Sequence, residues 1–235
     1  MDFNPPLIPA RLLRRYKRFL ADVLLDDGTE TTAHCPNPGA MMGLARPGAR
    51  VWLQHSANPK RKLAYTFMLE ELEGGGLAGI NTNVPNNLVA EALAAGQIEA
   101  ARGYETIRPE VKYGAASRID FLAQSPGKPD LYIEVKNVHL MRQPGLAEFP
   151  DCVTTRGAKH LDELVKVVAE GHRALMLYVI QMDGPERLTF AADLDPRYAA
   201  GATRAAAGGV DMIAHATDTS TNSITLSRPL PVHLP

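Results

Sequence analysis

The 235-residue sequence predicts an α/β protein with an all-β N-terminal part, in which a small, OB-fold-like five-stranded barrel precedes a mixed αβββαβ sheet. Up to residue 82, short apolar runs alternate with turns rich in glycine, proline and asparagine, a pattern typical of short strands in a closed barrel. Beyond that point, apolar residues at helical spacing alternate with apolar strand segments. We therefore expect two domains, which comprise residues 1–82 and 83–235.

Turn signals divide the first domain into five predicted strands. The first strand ends at the hairpin signal Asp26-Asp27-Gly28, and the second ends at Pro36-Asn37-Pro38-Gly39. Closure of the strands into a barrel would pair the edges that five isolated strands expose. The predicted strands are 11–25, 29–35, 50–55, 63–71 and 77–81.

Helical and strand patterns alternate in the second domain. Apolar residues at helical spacing between 88 and 95 predict a helix that ends at Gly96, and the spacing i, i+3, i+4, i+7 from Leu161 to Val168 predicts a second helix that ends at Gly171. The uninterrupted apolar run 174–180 predicts a buried central strand. A loop rich in proline and glycine is expected just before the second helix. The other predicted elements are strands at 106–113, 118–124 and 131–138, a helix at 197–207, and strands at 210–215 and 223–226.

The composition is that of an ordinary soluble protein, with 45% hydrophobic residues, 22% charged residues and a net charge of −1. A net charge near zero argues against a protein that coats nucleic acid indiscriminately. Cys35 and Cys152 are too few for a disulfide framework or a zinc site of paired cysteines. Since no apolar stretch approaches the roughly 20 residues of a membrane span, and the N-terminus lacks a signal-peptide core, we expect a cytoplasmic protein with no membrane partner.

Two carboxylates and a lysine form the main chemical signal of the sequence. Glu134 and Lys136 lie on one face of the predicted strand 131–138, about 6.6 Å apart. The turn signal at 125–129 predicts that this strand pairs with the preceding one, which would bring Asp120 beside Glu134. Two carboxylates and one lysine on a shared polar face can hold a magnesium ion next to a phosphodiester. The alternative is an ion-pair cluster on a solvated face of the sheet.

The sequence contains its own comparison for this signal. The tripeptide Glu-Val-Lys at 134–136 also occurs at 110–112, but no aspartate lies on a preceding strand within reach of Glu110. Two further polar residues favour a site, because Glu91 borders the apolar stripe of the first predicted helix and Gln181 ends the strand 174–180. The residues expected to converge at one end of the sheet are Asp120, Glu134, Lys136, Glu91 and Gln181.

Basic residues form several groups that could face phosphates. Arginine and lysine side chains bind phosphate, as do the backbone N–H groups at the start of a helix. The alternatives are solvated strand faces and ordinary helix capping. His160 is expected to be a hydrogen-bonded structural residue, and Trp52 and Phe67 to belong to the barrel core rather than to stack on bases. The candidate nucleic-acid-binding residues are Arg14, Arg15, Lys17, Arg18, Lys60, Arg61, Lys62, Arg118, Thr155, Arg156 and Lys159.

Several motifs together match a known protein family. They are His34-Cys35-Pro36-Asn37-Pro38-Gly39, Asn81-Thr82, Pro85-Asn86, Ser117-Arg118-x-Asp120-Phe121, Glu134-Val135-Lys136 and the long segment Phe149-Pro150-Asp151-x-Val153-Thr154-x-Arg156-Gly157-x-Lys159-His160-Leu161. With these motifs the chain resembles the sugar fermentation stimulation protein A family over nearly its whole length. The resemblance implies an N-terminal OB-type barrel joined to a nuclease-like domain of the PD-(D/E)xK type. It assigns the nuclease motif to Asp120, Glu134 and Lys136, with Glu91 as the helix acid and Gln181 as a later contributor.

The resemblance also implies a function. Members of the family are described as DNA-binding and are linked to regulation of sugar (maltose) metabolism. The hypothesis is a DNA-binding protein and Mg²⁺-dependent (or Mn²⁺-dependent) nuclease, with Asp120, Glu134, Glu91 and the Val135 carbonyl as candidate metal ligands. A homodimer is expected if both strands of a duplex are cut. The alternatives are a DNA-binding regulator that retains a nuclease fold without turnover, and a binding module for a nucleotide or sugar metabolite.

Overall fold

Five strands of the N-terminal part close into a barrel in the computed structural model, which describes residues 1–113 and 117–235. The barrel strands are β1 (Leu7–Tyr16), β2 (Leu20–Leu25), β3 (Glu30–His34), β4 (Arg50–His55) and β5 (Tyr65–Glu71). They pair in the order β3-β2-β1-β4-β5, and a parallel pairing between β3 and β5 closes the barrel. The predicted OB-fold-like five-stranded barrel is therefore confirmed.

The interior of the barrel explains why these segments form strands. Leu12, Val23, Leu53 and Phe67 come from four different strands and are fully buried. In the first half of β2 the buried residues alternate with half-buried ones, as the twofold period of a strand requires. Phe67 belongs to the core as expected, whereas Trp52 is half-buried.

The barrel strands differ from the predicted ones at two places. The predicted strand 11–25 is two strands, β1 and β2, because the chain reverses at Lys17 and Arg18, whose φ angles are 47° and 62°. Glycine or asparagine normally provides such left-handed backbone, so two basic residues gave no indication of a turn. The predicted strand 77–81 is the short β6 (Leu77–Gly79), which extends the sheet beyond β5 and is not part of the closed barrel.

A six-stranded mixed sheet lies at the centre of the C-terminal part. The elements that follow the barrel are α1 (Val84–Ala94), β7 (Thr106–Tyr113), β8 (Ser117–Gln124), β9 (Leu131–Val138), β10 (Leu140–Gln143), β11 (Leu146–Phe149), α2 (Thr155–Ala169), β12 (Arg173–Ile180), β13 (Arg187–Phe190), α3 (Pro196–Ala207), β14 (Asp211–Thr219), β15 (Ile224–Leu230) and β16 (Val232–His233). The strand order of the central sheet is β15-β14-β12-β9-β8-β7, and β12 pairs in parallel with β9 and β14. Residues 174–180 are all buried, as predicted for a central strand.

None of the helices in the described part of the chain is long and apolar enough to cross a membrane.

A second, four-stranded sheet was not predicted from the sequence. It has the order β10-β11-β13-β16, so the prediction of a loop between β9 and α2 was wrong. These strands are two to four residues long, which is too short for a periodic pattern to show. Phe149 and Phe190 of this sheet pack edge-on against Tyr178 of β12, and Tyr178 exchanges a 2.8 Å hydroxyl hydrogen bond with Tyr198 of α3.

A buried polar network joins the barrel part to the central sheet, and it contains Gln181. The Nε2 atom of Gln181 donates to the main-chain carbonyl of Asn81 at 3.3 Å and to Oδ1 of Asn137 at 2.6 Å. Nδ2 of Asn137 and Nδ2 of Asn37 both point at Nε2 of His139. Gln181 is fully buried and its side chain is used in this junction, which corrects its predicted place in the site.

This network predicts a loss of stability in acid. Because two amides donate to Nε2 of His139, the ring must be neutral in the folded protein, and burial lowers its pKa from 6.5 to about 4 despite the charge of Asp151. In the unfolded chain His139 binds a proton at a higher pH than in the folded chain. The free energy of unfolding therefore falls as the pH drops from 6.5 to about 4, by on the order of 2–3 kcal/mol. Urea denaturation at about pH 7 and about pH 4.5 should show a larger loss in the wild type than in His139→Gln. Equal losses in the two proteins would show that protonation of His139 does not cause the loss of stability.

Candidate active site

The candidate site lies where strands β8 and β9 separate. Their pairing comprises only Phe121 with Ile133 and the two pairs that follow, although β8 continues along β7 and β9 continues along β12. Beyond Phe121, the side chain of Asp120 takes the place of a ladder partner, because its Oδ2 accepts a 2.7 Å hydrogen bond from the main-chain N–H of Val135. The two strands thus hold a carboxylate at the opening between them.

The opening between the strands is part of a polar cleft. One part has a volume of about 490 Å³, and an adjoining part of about 370 Å³ shares five of its residues. The first part is lined by Thr82, Asn83, Asn86, Glu110, Asp120, Glu134, Val135, Lys136, Arg156 and His160. The second part adds Ser117, Arg118 and Lys159. The structure therefore brings together Asp120, Glu134 and Lys136 with three of the predicted basic residues.

Asp120 is held from two sides. Its Oδ1 accepts a 2.8 Å hydrogen bond from Nδ2 of Asn86 on α1, and its Oδ2 is bound to the N–H of Val135. Burial raises the pKa of Asp120, and the negative charge of Glu134 raises it further. A cation between the two carboxylates would remove this repulsion.

Glu134 uses only one of its two carboxylate oxygens. Oε1 accepts a 2.6 Å hydrogen bond from Nζ of Lys136 and is also in contact with Nδ1 of His160. Burial alone would raise the pKa of Glu134, but the hydrogen bond from His160 and the charge of Lys136 outweigh it, so the pKa is lowered and the group is ionised. Oε2 is buried and has no hydrogen-bond partner among the residues that the structure describes.

These oxygens suit a small divalent cation. Mg²⁺ prefers oxygen ligands and keeps several waters, so it needs few protein groups. Among the described residues Oε2 of Glu134 has no partner, and the two oxygens of Asp120 each keep a lone pair beyond the hydrogen bond that they accept. Because a strand residue directs its N–H and its C=O to the same edge of the strand, we expect the carbonyl of Val135 to face the opening between β8 and β9. Within residues 1–113 and 117–235, no group of three or more His, Cys, Asp or Glu residues could by itself hold a metal.

Helix α2 contributes the basic side of the cleft. Thr154 caps the helix, since its Oγ1 accepts from the N–H of Gly157 at 3.1 Å, and its own N–H donates to Asp195 at 2.8 Å. With its start fixed in this way, α2 presents Arg156, Lys159 and the buried His160 to the cleft.

Comparison with known proteins agrees with this architecture. Residues 13–80 match the family model described as the SfsA N-terminal OB domain, and residues 83–223 match the one described as the Sugar fermentation stimulation protein RE domain. The chain belongs to the sugar fermentation stimulation protein family.

Relatives from this family match along almost their whole length. A sugar fermentation stimulation protein homolog from Jannaschia sp. (strain CCS1) is 59% identical over 99% of this chain and 97% of its own. The homolog from Dinoroseobacter shibae is 57% identical over 99% and 96% of the two chains. A solved structure of Pyrococcus furiosus SfsA in complex with Ca²⁺ is similar with a TM-score of 0.87, at 25% identity and over 99% of each chain.

Glu91 does not reach the cleft, which corrects its predicted place. Its side chain is 54% exposed and forms a 2.9 Å ion pair with the N-terminal ammonium of Met1. At 100° per residue, Glu91 lies about 140° around the axis of α1 from Asn86, which contacts Asp120 instead. Helix α1 therefore offers an amide to the cleft where an acid was expected.

The remaining predicted basic residues do not line the cleft. Thr155, the first residue of α2, is exposed outside it. In the barrel, Arg14 pairs with Asp22 at 2.8 Å and Arg15 donates to main-chain carbonyls of the loop 37–39. The predicted basic residues of the barrel that are exposed are Arg14, Lys17, Arg18, Lys60, Arg61 and Lys62.

Sequence reasoning did not place Asn86 or Glu110 in the cleft, and it missed the direct contact of His160 with Glu134. Asn86 follows Pro85 in one of the family motifs, which was the only signal for it. Glu110 lies opposite Asp120 between the pairs Pro109–Phe121 and Val111–Ile119, and its φ of 55° is left-handed. Such backbone in a non-glycine residue is often found beside functional sites, but it leaves no trace in the sequence.

Proposed function

We propose that this protein binds DNA and hydrolyses phosphodiester bonds with a divalent cation, Mg²⁺ or Mn²⁺, at the cleft between β8 and β9. The observation that carries the proposal is the buried Oε2 of Glu134, which has no partner in the described part of the chain and belongs to a residue beside Asp120 and Lys136. An ionised, buried oxygen without a partner is costly to stability unless a ligand satisfies it.

Asp120, Glu134 and the Val135 carbonyl are the groups that would hold the cation. When bound, the metal would supply a more acidic water and neutralise charge on the scissile phosphate. Asn86 and the Val135 N–H keep the Asp120 carboxylate in a single orientation, so little reorganisation is needed on binding.

Lys136 is the cationic side chain that binds Glu134 directly. Its Nζ donates to Oε1 of Glu134, and its side chain is 14% exposed at the cleft. An ammonium on a flexible stem can move from the carboxylate to a phosphate oxygen, where it would stabilise the negative charge that builds up during hydrolysis.

The rim of the cleft provides contacts to the DNA backbone. Arg118, Arg156 and Lys159 carry positive charge, and Ser117 offers a hydroxyl. We propose that residues 83–235 act on the DNA and that residues 1–82 extend the contact. In the barrel, the β1–β2 turn carries Lys17 and Arg18, and the loop between β4 and β5 carries residues 60–62, at the loops that OB-folds use for oligonucleotides.

We also propose, from the family's name and described role, that DNA binding connects the protein to regulation of sugar (maltose) metabolism. Cleavage of both strands of a duplex would require two copies of the site, and a homodimer would supply them.

Salt dependence tests the assignment of the rim. Each contact between a cationic side chain and a phosphate releases counterions, so affinity falls as salt rises. Arg118→Ala and Lys159→Ala should each make the slope of log affinity against log salt less negative by about 0.9 on duplex DNA. Lys166→Ala is the matched control, because Lys166 is exposed in the last turn of the same helix. Fluorescence anisotropy with labelled DNA and Ca²⁺ gives the slopes. Binding that barely depends on salt would instead favour a module for a small metabolite.

A further inference from the structure

His160 is a buried residue whose two ring nitrogens both have defined partners. Its Nδ1 contacts Oε1 of Glu134, and Nε of Arg156 is 3.3 Å from its Nε2. Arginine can only donate, so Nε2 must be the acceptor in this contact. The neutral ring therefore carries its proton on Nδ1 and donates it to Glu134.

The contacts of Glu134 are strongly one-sided. Nζ of Lys136 and Nδ1 of His160 both bind Oε1, and these two donors are 3.4 Å apart. Oε2 has no donor among the described residues. Lys136 is long and flexible, whereas His160 is fixed within α2 and is 4% exposed. The imidazole is therefore the donor that can hold the carboxylate when the lysine moves away.

We propose that His160 is a positioning residue for Glu134: by holding Oε1 through Nδ1–H, it leaves Oε2 to bind the cation and allows Lys136 to move to the phosphate. The inference rests on the proposed function, since it assigns a role within the same cleft. Removal of a residue that orients a metal-binding carboxylate typically lowers the metal affinity by about 10–100-fold.

Arg156 connects this pair to the rim of the cleft. It lies one helical turn before His160, lines both parts of the cleft and sets the tautomer of the ring through Nε2. A phosphate at the rim would thus contact Arg156. The hydrogen bond from Arg156 to Nε2 keeps the proton of His160 on Nδ1, which faces Glu134.

Titration of the metal-free protein with Mn²⁺ alone, by isothermal calorimetry, tests the role of His160. We expect His160→Leu to weaken Mn²⁺ binding by about tenfold or more. His160→Asn places an amide N–H near the position of Nδ1 and should restore the affinity to within about threefold of the wild type. His55→Leu is the control, because His55 is exposed on the barrel, and thermal unfolding without metal shows whether each variant is folded.

The outcomes separate this inference from the proposed function. A folded His160→Leu protein that binds Mn²⁺ as tightly as the wild type would overturn the positioning role and leave the metal site intact. A wild-type protein that binds no Mn²⁺ would overturn both. If His160→Leu does not fold, His160→Asn decides alone: wild-type affinity supports donation from Nδ1, and a tenfold loss in the folded variant contradicts it.

Discussion

Asp120→Asn is expected to reduce metal-dependent cleavage of DNA by about a thousandfold or more, because the residues of such a site act as a unit. The substitution removes the charge that would bind the cation and leaves an amide of nearly the same shape. Its amide nitrogen, which can only donate, must then face another donor, either Nδ2 of Asn86 or the N–H of Val135. Cleavage rates with Mg²⁺ and thermal unfolding of the same preparations give the result.

Glu91→Gln is the matched control for Asp120→Asn. Glu91 is an acid on α1 that pairs with the N-terminus and lies outside the cleft, so its loss should leave the cleavage rate within about twofold of the wild type. A large decrease in Glu91→Gln, or an active and folded Asp120→Asn protein, would contradict the assignment of the metal-binding carboxylates.

Lys136→Met is expected to lower the rate of the cleavage step by about a hundredfold or more, since it removes the cation that would stabilise charge on the phosphate. Methionine keeps most of the apolar stem of the lysine. Because Glu134 keeps its contact with His160, Mn²⁺ binding should change little. Single-turnover cleavage and calorimetry measure the two effects separately.

The chain provides an unusually close control for this substitution. Lys112 ends an identical Glu-Val-Lys tripeptide on β7 but is exposed and outside the cleft. Lys112→Met should therefore cleave like the wild type. Equal losses in the two variants would mean that general charge, and not the position of Lys136, matters for the reaction.

The sequence predicted those parts of the fold in which one pattern dominates. The run 174–180 lies at the centre of a sheet, and the spacing from Leu161 to Val168 corresponds to α2. Short or exposed elements left weaker patterns. The turn at Lys17 and Arg18 uses left-handed backbone without glycine, and the four-stranded sheet consists of strands too short to show a period.

The candidate site was predictable where it depends on strand register. Alternation placed Glu134 and Lys136 on one face, and the turn at 125–129 brought Asp120 beside them. The rotation of α1 was not predictable, because Glu91 and Asn86 both border its apolar stripe and only the packed helix shows which one faces Asp120. The role of His160 depended in the same way on the position of α2 against β9.

The most direct test is incubation of the wild-type protein with end-labelled single-stranded and duplex DNA in Mg²⁺, in Mn²⁺ and in excess chelator. We expect cleavage products in at least one of the two metals and none with chelator. DNA binding without cleavage in either metal would contradict the proposed catalysis and would indicate a DNA-binding regulator on a nuclease-like fold.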